Sequence, residues 1–95
     1  MPSTGPWNYI LVFSDSVGTA DAVKDFIDSR AEVTTWYRCM TNAIFIRSEL
    51  SATQLGVLFR RFSPEKGRFI VLDCSTDKNG WLPPEAWKFM KGDYP

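Results

Sequence analysis

Histidine is absent from this 95-residue chain. Its absence removes the commonest general base, the Ser–His and Cys–His dyads, and histidine-containing zinc sites. Chemistry, if any, would rest on carboxylates, thiols, hydroxyls or lysine. Cysteine is nearly absent as well, with Cys39 and Cys74 the two thiols. They lack Cys-x-x-Cys spacing and fall on strands expected at opposite edges of one sheet. That separation exceeds the roughly 7 Å a disulfide can span between Cα atoms. Two free thiols suit a reducing compartment, and without an activating histidine they read as small packing residues.

Charge of one sign is also missing. Eleven basic residues balance eleven acidic ones, for a formal net charge of zero. Global attraction to a polyanion is thereby excluded, while a local basic patch stays open. Long hydrophobic runs are missing too. The longest, Tyr9 to Phe13, is far too short to cross a bilayer. Met1 to Pro6 has neither a basic n-region nor an apolar h-region, so no signal peptide is expected. The expectation is a cytoplasmic protein with no membrane partner.

What is present is apolar and aromatic. Hydrophobic residues make up 44% and aromatic residues 15%, which excludes disorder. The length suits one domain with a modest core. Trp7 to Phe13 reads as a strand that is apolar on both alternating faces, hence central in a sheet. Thr19 caps a helix through about Ser29, with Val23, Phe26 and Ile27 on one stripe. Val33 to Arg47 reads as a hairpin. With Met40 and Thr41 as its central turn residues, Cys39 pairs with Asn42, Trp36 with Phe45, and Tyr37 with Ile44. Met-Thr is poor turn chemistry, so the register is open to a slip. Ser51 caps a second helix to about Phe62, carrying Leu55, Leu58, Phe59 and Phe62 on one face. Arg68 to Cys74 is the fourth strand, with Ile70 and Leu72 facing one way and Phe69 and Val71 the other.

The order β-α-β-β-α-β is the split βαβ plan of an α+β, ferredoxin-like domain. Its antiparallel sheet has strand order 4-1-3-2, with two helices on one face. Residues 1–6 form an arm, 7–74 the core, and 75–95 an extension. The extension is no disordered tail, because Trp81 to Met90 is too apolar to stay solvated. Pro84 suits the first turn of a short helix, Lys91 its last turn and Gly92 its stop. Trp81, Trp87 and Phe89 are its expected anchors on the sheet or on a partner subunit. Their burial would contribute several kcal/mol at about 25 cal/mol per Å².

The face without helices is the candidate site. In the expected register it carries Trp36, Arg38, Phe45 and Arg47, while Val33, Tyr37, Ile44 and Ile46 point at the helices. Aromatics beside arginines can form a platform for single-stranded nucleic acid. The other reading is that the extension or a second protomer covers this face. Asp15, just after the first strand, is a candidate metal-binding or catalytic carboxylate, or else a turn residue. Asp73 ends the fourth strand at the opposite edge, so a carboxylate pair would need the Asp15 of a second subunit. Ser14 to Thr19 has too few glycines for a phosphate cradle, and no lysine follows to complete a Walker motif.

Several runs resemble a group of small bacterial SinR-like proteins, relatives of the ferredoxin-like subunit of CRISPR adaptation and its antitoxin relatives. They are Tyr9-Ile10-Leu11-Val12-Phe13-Ser14, Trp36-Tyr37-Arg38-Cys39, Ala43-Ile44-Phe45-Ile46, Leu50 to Leu55, Arg68-Phe69-Ile70-Val71, and Gly80-Trp81-Leu82 with Trp87. The resemblance spans residues 9 to 87 and implies a homodimer of ferredoxin-like protomers. In the nuclease members an aspartate ends the first strand and binds metal with its dimer mate. Here Ser14 takes that position and Asp15 follows it, a departure that speaks against nuclease activity. The combined expectation is a non-enzymatic, dimer-forming interaction or regulatory module without cofactor. Its setting would be nucleic-acid- or toxin–antitoxin-linked, with a nucleic acid or another protein as the further partner. The alternative is a metal-dependent phosphodiesterase using Mg²⁺ or Mn²⁺ at a dimer interface. A small-molecule sensor binding between sheet and tail is a third.

Overall fold

The computed structural model describes residues 6–63, 67–74 and 80–90, the Cys39 side chain excepted. Most of the expected arm, the polar turn at 75–79, and Lys91 and Gly92 lie outside the described residues. The elements are β1 (Trp7–Phe13), α1 (Ala20–Asp28), β2 (Val33–Met40), β3 (Ala43–Ser48), α2 (Ala52–Phe62), β4 (Phe69–Asp73) and α3 (Pro84–Met90). They form an α+β fold with one four-stranded antiparallel sheet and three helices. Its strand order is β2-β3-β1-β4, which counted from the other edge is 4-1-3-2.

Local chemistry sets the helix starts. The Thr19 hydroxyl accepts a hydrogen bond from the Ala22 amide and caps α1. Ser51 and Gln54 close a capping box on α2, each side chain bonding the other's backbone amide. The apolar stripes of both helices then meet one face of the sheet. Val23, Ile27, Leu55, Leu58 and Phe59 pack there against Tyr9, Leu11, Phe13, Val33, Ile44 and Ile46. Phe26 stacks on Phe62 at 4.4 Å between ring centroids and ties α1 to α2. The Tyr9 hydroxyl, at the edge of this core, donates to the Leu50 carbonyl at 2.7 Å.

The hairpin departs from its expected register. Met40 pairs with Ala43, so Thr41 and Asn42 make the turn, not Met40 and Thr41. Trp36 lies opposite Ile46 and Tyr37 opposite Phe45, with irregularities between Val33 and Thr35 and between Tyr37 and Met40. Asn42 explains the shift. Its side-chain amide donates to the Phe13 carbonyl at 3.0 Å and to Asp15 Oδ1 at 3.1 Å. Its own carbonyl accepts from the Phe13 amide. A turn-forming asparagine anchored on β1 outweighs the Met-Thr centre. Each bulge inserts one residue on one strand and turns the side chains beyond it to the other face.

Candidate functional site

The second face of the sheet, away from α1 and α2, carries its own small core. Phe45, Ala86 and Phe89 are buried together, with Ile10, Tyr37, Cys74, Leu82 and Met90 packed around them. Alternation puts Phe45 here, because its neighbours Ile44 and Ile46 point at the main core. Ala86 and Phe89, three residues apart, form the inward face of α3. The extension therefore docks on the sheet of its own chain.

Arg47 is the buried cation at this junction, only 8% exposed. Its guanidinium lies over the Phe89 ring, 4.6 Å from the centroid, and donates to the Phe89 carbonyl. Its Nε donates to Asn8 Oδ1 at 3.1 Å. The Asn8 side-chain amide in turn donates to the Met90 carbonyl at 2.6 Å. Among the described residues no helical amide follows the last turn of α3 to meet its carbonyls. Two side chains from the sheet meet them, and a cation sits at the negative end of the helix dipole. This is a positioning device, with Arg47 and Asn8 fixing where α3 lies.

The expected platform of Trp36, Arg38, Phe45 and Arg47 is divided between the two faces. Trp36 turns towards α1, where its indole N–H donates to Asp28 Oδ1 at 3.0 Å and its ring packs on the main core. Arg38 also turns to α1, with one guanidinium nitrogen 3.5 Å from Asp21 Oδ1, an ion-pair contact too poorly aimed for a hydrogen bond. Phe45 and Arg47 lie on the second face, as the alternation predicts, but beneath α3. Tyr37 replaces Trp36 there, its ring centroid 6.1 Å from that of Phe89. The aromatic–arginine surface expected to meet nucleic acid is thus split by the hairpin register and half covered.

The three expected anchors of the extension also separate. Phe89 is fully buried and Trp87 half-buried, but Trp81 is 88% exposed. Trp81 precedes the first helical turn, so it does not share the inward face set by Ala86 and Phe89. Asn8 and Tyr37 are the site residues that sequence reasoning missed. A polar asparagine in an otherwise apolar and aromatic strand was the available signal for Asn8.

α3 covers only part of the second face. Beside it, Val12 pairs with Ile70 and Ile10 with Leu72 across β1 and β4, and paired residues share a face. Val12 is 40%, Ile70 51% and Leu72 49% exposed. Next to them, Ile10, Met40, Phe45, Trp81, Leu82 and Trp87 line a shallow apolar pocket of about 330 Å³.

Asp15 is exposed, in the turn after β1, and accepts from Asn42. Asp73 lies opposite Tyr9, at the other end of the β1–β4 ladder from Asp15. Among the described residues no group of three or more cysteines, aspartates or glutamates is placed to hold a metal ion. No helix of the described residues is long and apolar enough to cross a membrane. Compared with known proteins, the chain matches no family model, no curated protein and no solved structure, so the reading of this face rests on its geometry.

Proposed function

We propose that this chain is a non-enzymatic interaction module that pairs with a second copy of itself through the uncovered half of its second sheet face. One observation carries the reading. Val12, Ile70 and Leu72 form an exposed aliphatic strip next to the apolar pocket that Ile10 and Trp81 line, with Arg68 at the end of the strip beside Val12 and Ile70. Large exposed apolar patches on small domains mark interaction sites. A two-fold contact needs only self-complementarity, which three aliphatic side chains in a row supply. The β-α-β-β-α-β order and the hairpin edge support reading residues 7–74 as a ferredoxin-like core. The resemblance to SinR-like proteins and the CRISPR-adaptation subunit supports a cytoplasmic homodimer in a nucleic-acid- or toxin–antitoxin-linked setting.

Sedimentation equilibrium of the full chain tests this reading. The wild type is expected to sediment as a dimer at micromolar concentration. Leu72→Glu, at a half-exposed position that tolerates a carboxylate in the monomer, is expected to sediment as a folded monomer. A wild type that stays monomeric, or a Leu72→Glu variant that stays dimeric, overturns it.

A further inference from the structure

We infer that the groove between α2 and the free edge of β4 is a docking site for an extended peptide segment of another protein, bearing carboxylates at its C-terminal end. This site is centred on α2 and the outer edge of β4, and it shares Arg68 and Ile70 with the border of the apolar strip.

The argument starts from the backbone. Among the described residues β4 has a sheet neighbour on one side only, β1. The Cys74 amide donates to the Asn8 carbonyl and the Ser14 amide to the Arg68 carbonyl. In an antiparallel ladder, hydrogen-bonded and non-hydrogen-bonded pairs alternate. Ile70 and Leu72 therefore direct their amides and carbonyls at β1. Phe69 and Val71 direct theirs outward, and no described residue meets them. Such an edge is a template for strand addition.

The space beside that edge is already shaped. A groove of about 680 Å³ runs between α2 and β4, lined by Ala52, Gly56 and Arg60 of the helix, Ser63 just past its end, Gly67 and Arg68 before the strand, and Phe69 to Val71 within it. Gly56 leaves it open, since a Cβ built there meets nothing within 4 Å. Every second side chain of an added strand would enter this groove.

Charge selects the occupant. Arg60 and Arg68 line the groove, and neither guanidinium has a carboxylate partner among the described residues. Both lie towards the start of β4, where α2 ends. A segment running antiparallel to β4 brings its C-terminal end to these arginines. Small or β-branched side chains would sit over Ala52 and Gly56, and acidic ones beside Arg60 and Arg68. Nucleic acid lacks the amide–carbonyl ladder that the edge of β4 offers.

Panning a displayed library of random linear peptides against the full chain tests the site. The expected winners carry acidic residues at their C-terminal end. A synthetic peptide of the winning sequence should slow amide exchange at Phe69 and Val71. Arg60→Glu/Arg68→Glu, which alters two exposed side chains, should weaken its binding about tenfold, the effect of losing two exposed ion pairs and adding repulsion. Gly56→Leu should block binding while the fold is retained. Four results would each overturn the inference. They are no enrichment over an irrelevant target, equal binding to the double variant, equal binding to Gly56→Leu, or protection confined to α3 and β1. If the double variant instead changed the oligomeric mass and no peptide were selected, the edge would belong to a second copy of the chain.

Discussion

Replacing Phe89 by alanine should detach α3 while the main core stays folded. Phe89 is fully buried, and its described neighbours belong to the small second core: Phe45, Ala86, Tyr37 and the Arg47 guanidinium. Truncating a buried phenylalanine to alanine costs about 3–5 kcal/mol through lost transfer energy and the cavity left behind. The loss of the guanidinium–ring contact adds about 2 kcal/mol where the cation is desolvated. A seven-residue helix has no comparable stability of its own, because isolated short helices are marginal in water. Arg47 is not stranded by the loss, since an undocked α3 exposes it to solvent. The assay is native-state amide exchange read residue by residue. Amides of 86–90 should approach free exchange, those of Leu11 and Ile44 should stay protected, and a hydrophobic dye should bind the bared face. The same pattern is expected on deleting everything after Asp77. If protection at Leu11 and Ile44 fell in step with α3, the two cores would be one cooperative unit and the reasoning would fail.

Tyr9→Phe should cost about 1 kcal/mol, because the Leu50 carbonyl loses its donor at the edge of the core. Burial, and then the nearby Asp73 carboxylate, raise the Tyr9 hydroxyl above its ordinary value. A folded-state value above the unfolded one stabilises the protein below about pH 10 and is lost as pH rises through the folded value. Urea melts at increasing alkaline pH should show this loss, and Tyr9→Phe should remove it. Arg30, through its hydrogen bond and then its charge, holds the Glu32 carboxyl below the usual range. That contribution is present above the ordinary glutamate value and fades as pH falls through the lowered one. Glu32→Gln should flatten the acid limb of the stability curve. Gly56→Ala should stabilise the chain by about 1 kcal/mol in thermal melts, since α2 gains a better helix former and the new methyl meets nothing.

Much of this architecture was legible because its signals are local. Thr19 and Ser51 announced the helix starts, and the run from Trp7 to Phe13 announced a central strand. Ile70 and Leu72 fell on one face because alternation in β4 is uninterrupted. The faces of β2 were not legible. They depend on two bulges, and those depend on Asn42 reaching Phe13 and Asp15, a contact between segments 27 residues apart or more. A side-chain period of two offers no tolerance for a displaced turn, so Trp36 and Arg38 moved to the helical face while Phe45 and Arg47 did not. The apolarity of 81–90 showed that this segment must dock. It did not show that Trp81 would stay outside, because the inward face of α3 is set by where the helix begins. The mate of Arg47 was hidden for a different reason. It includes the main-chain carbonyl of Phe89, which no side-chain pattern reports.

Asn8 and Met90 are joined by a hydrogen bond across 82 positions of chain. The ribosome must therefore release the chain through Met90 before the lining beneath α3 gains its roof. Until then Phe45 and Tyr37 lie bare, with the Arg47 charge and the Asn8 amide among them. Those two polar groups keep the unfinished layer wetted, and α3, emerging after the sheet, converts them from solvated groups into the latch that holds it.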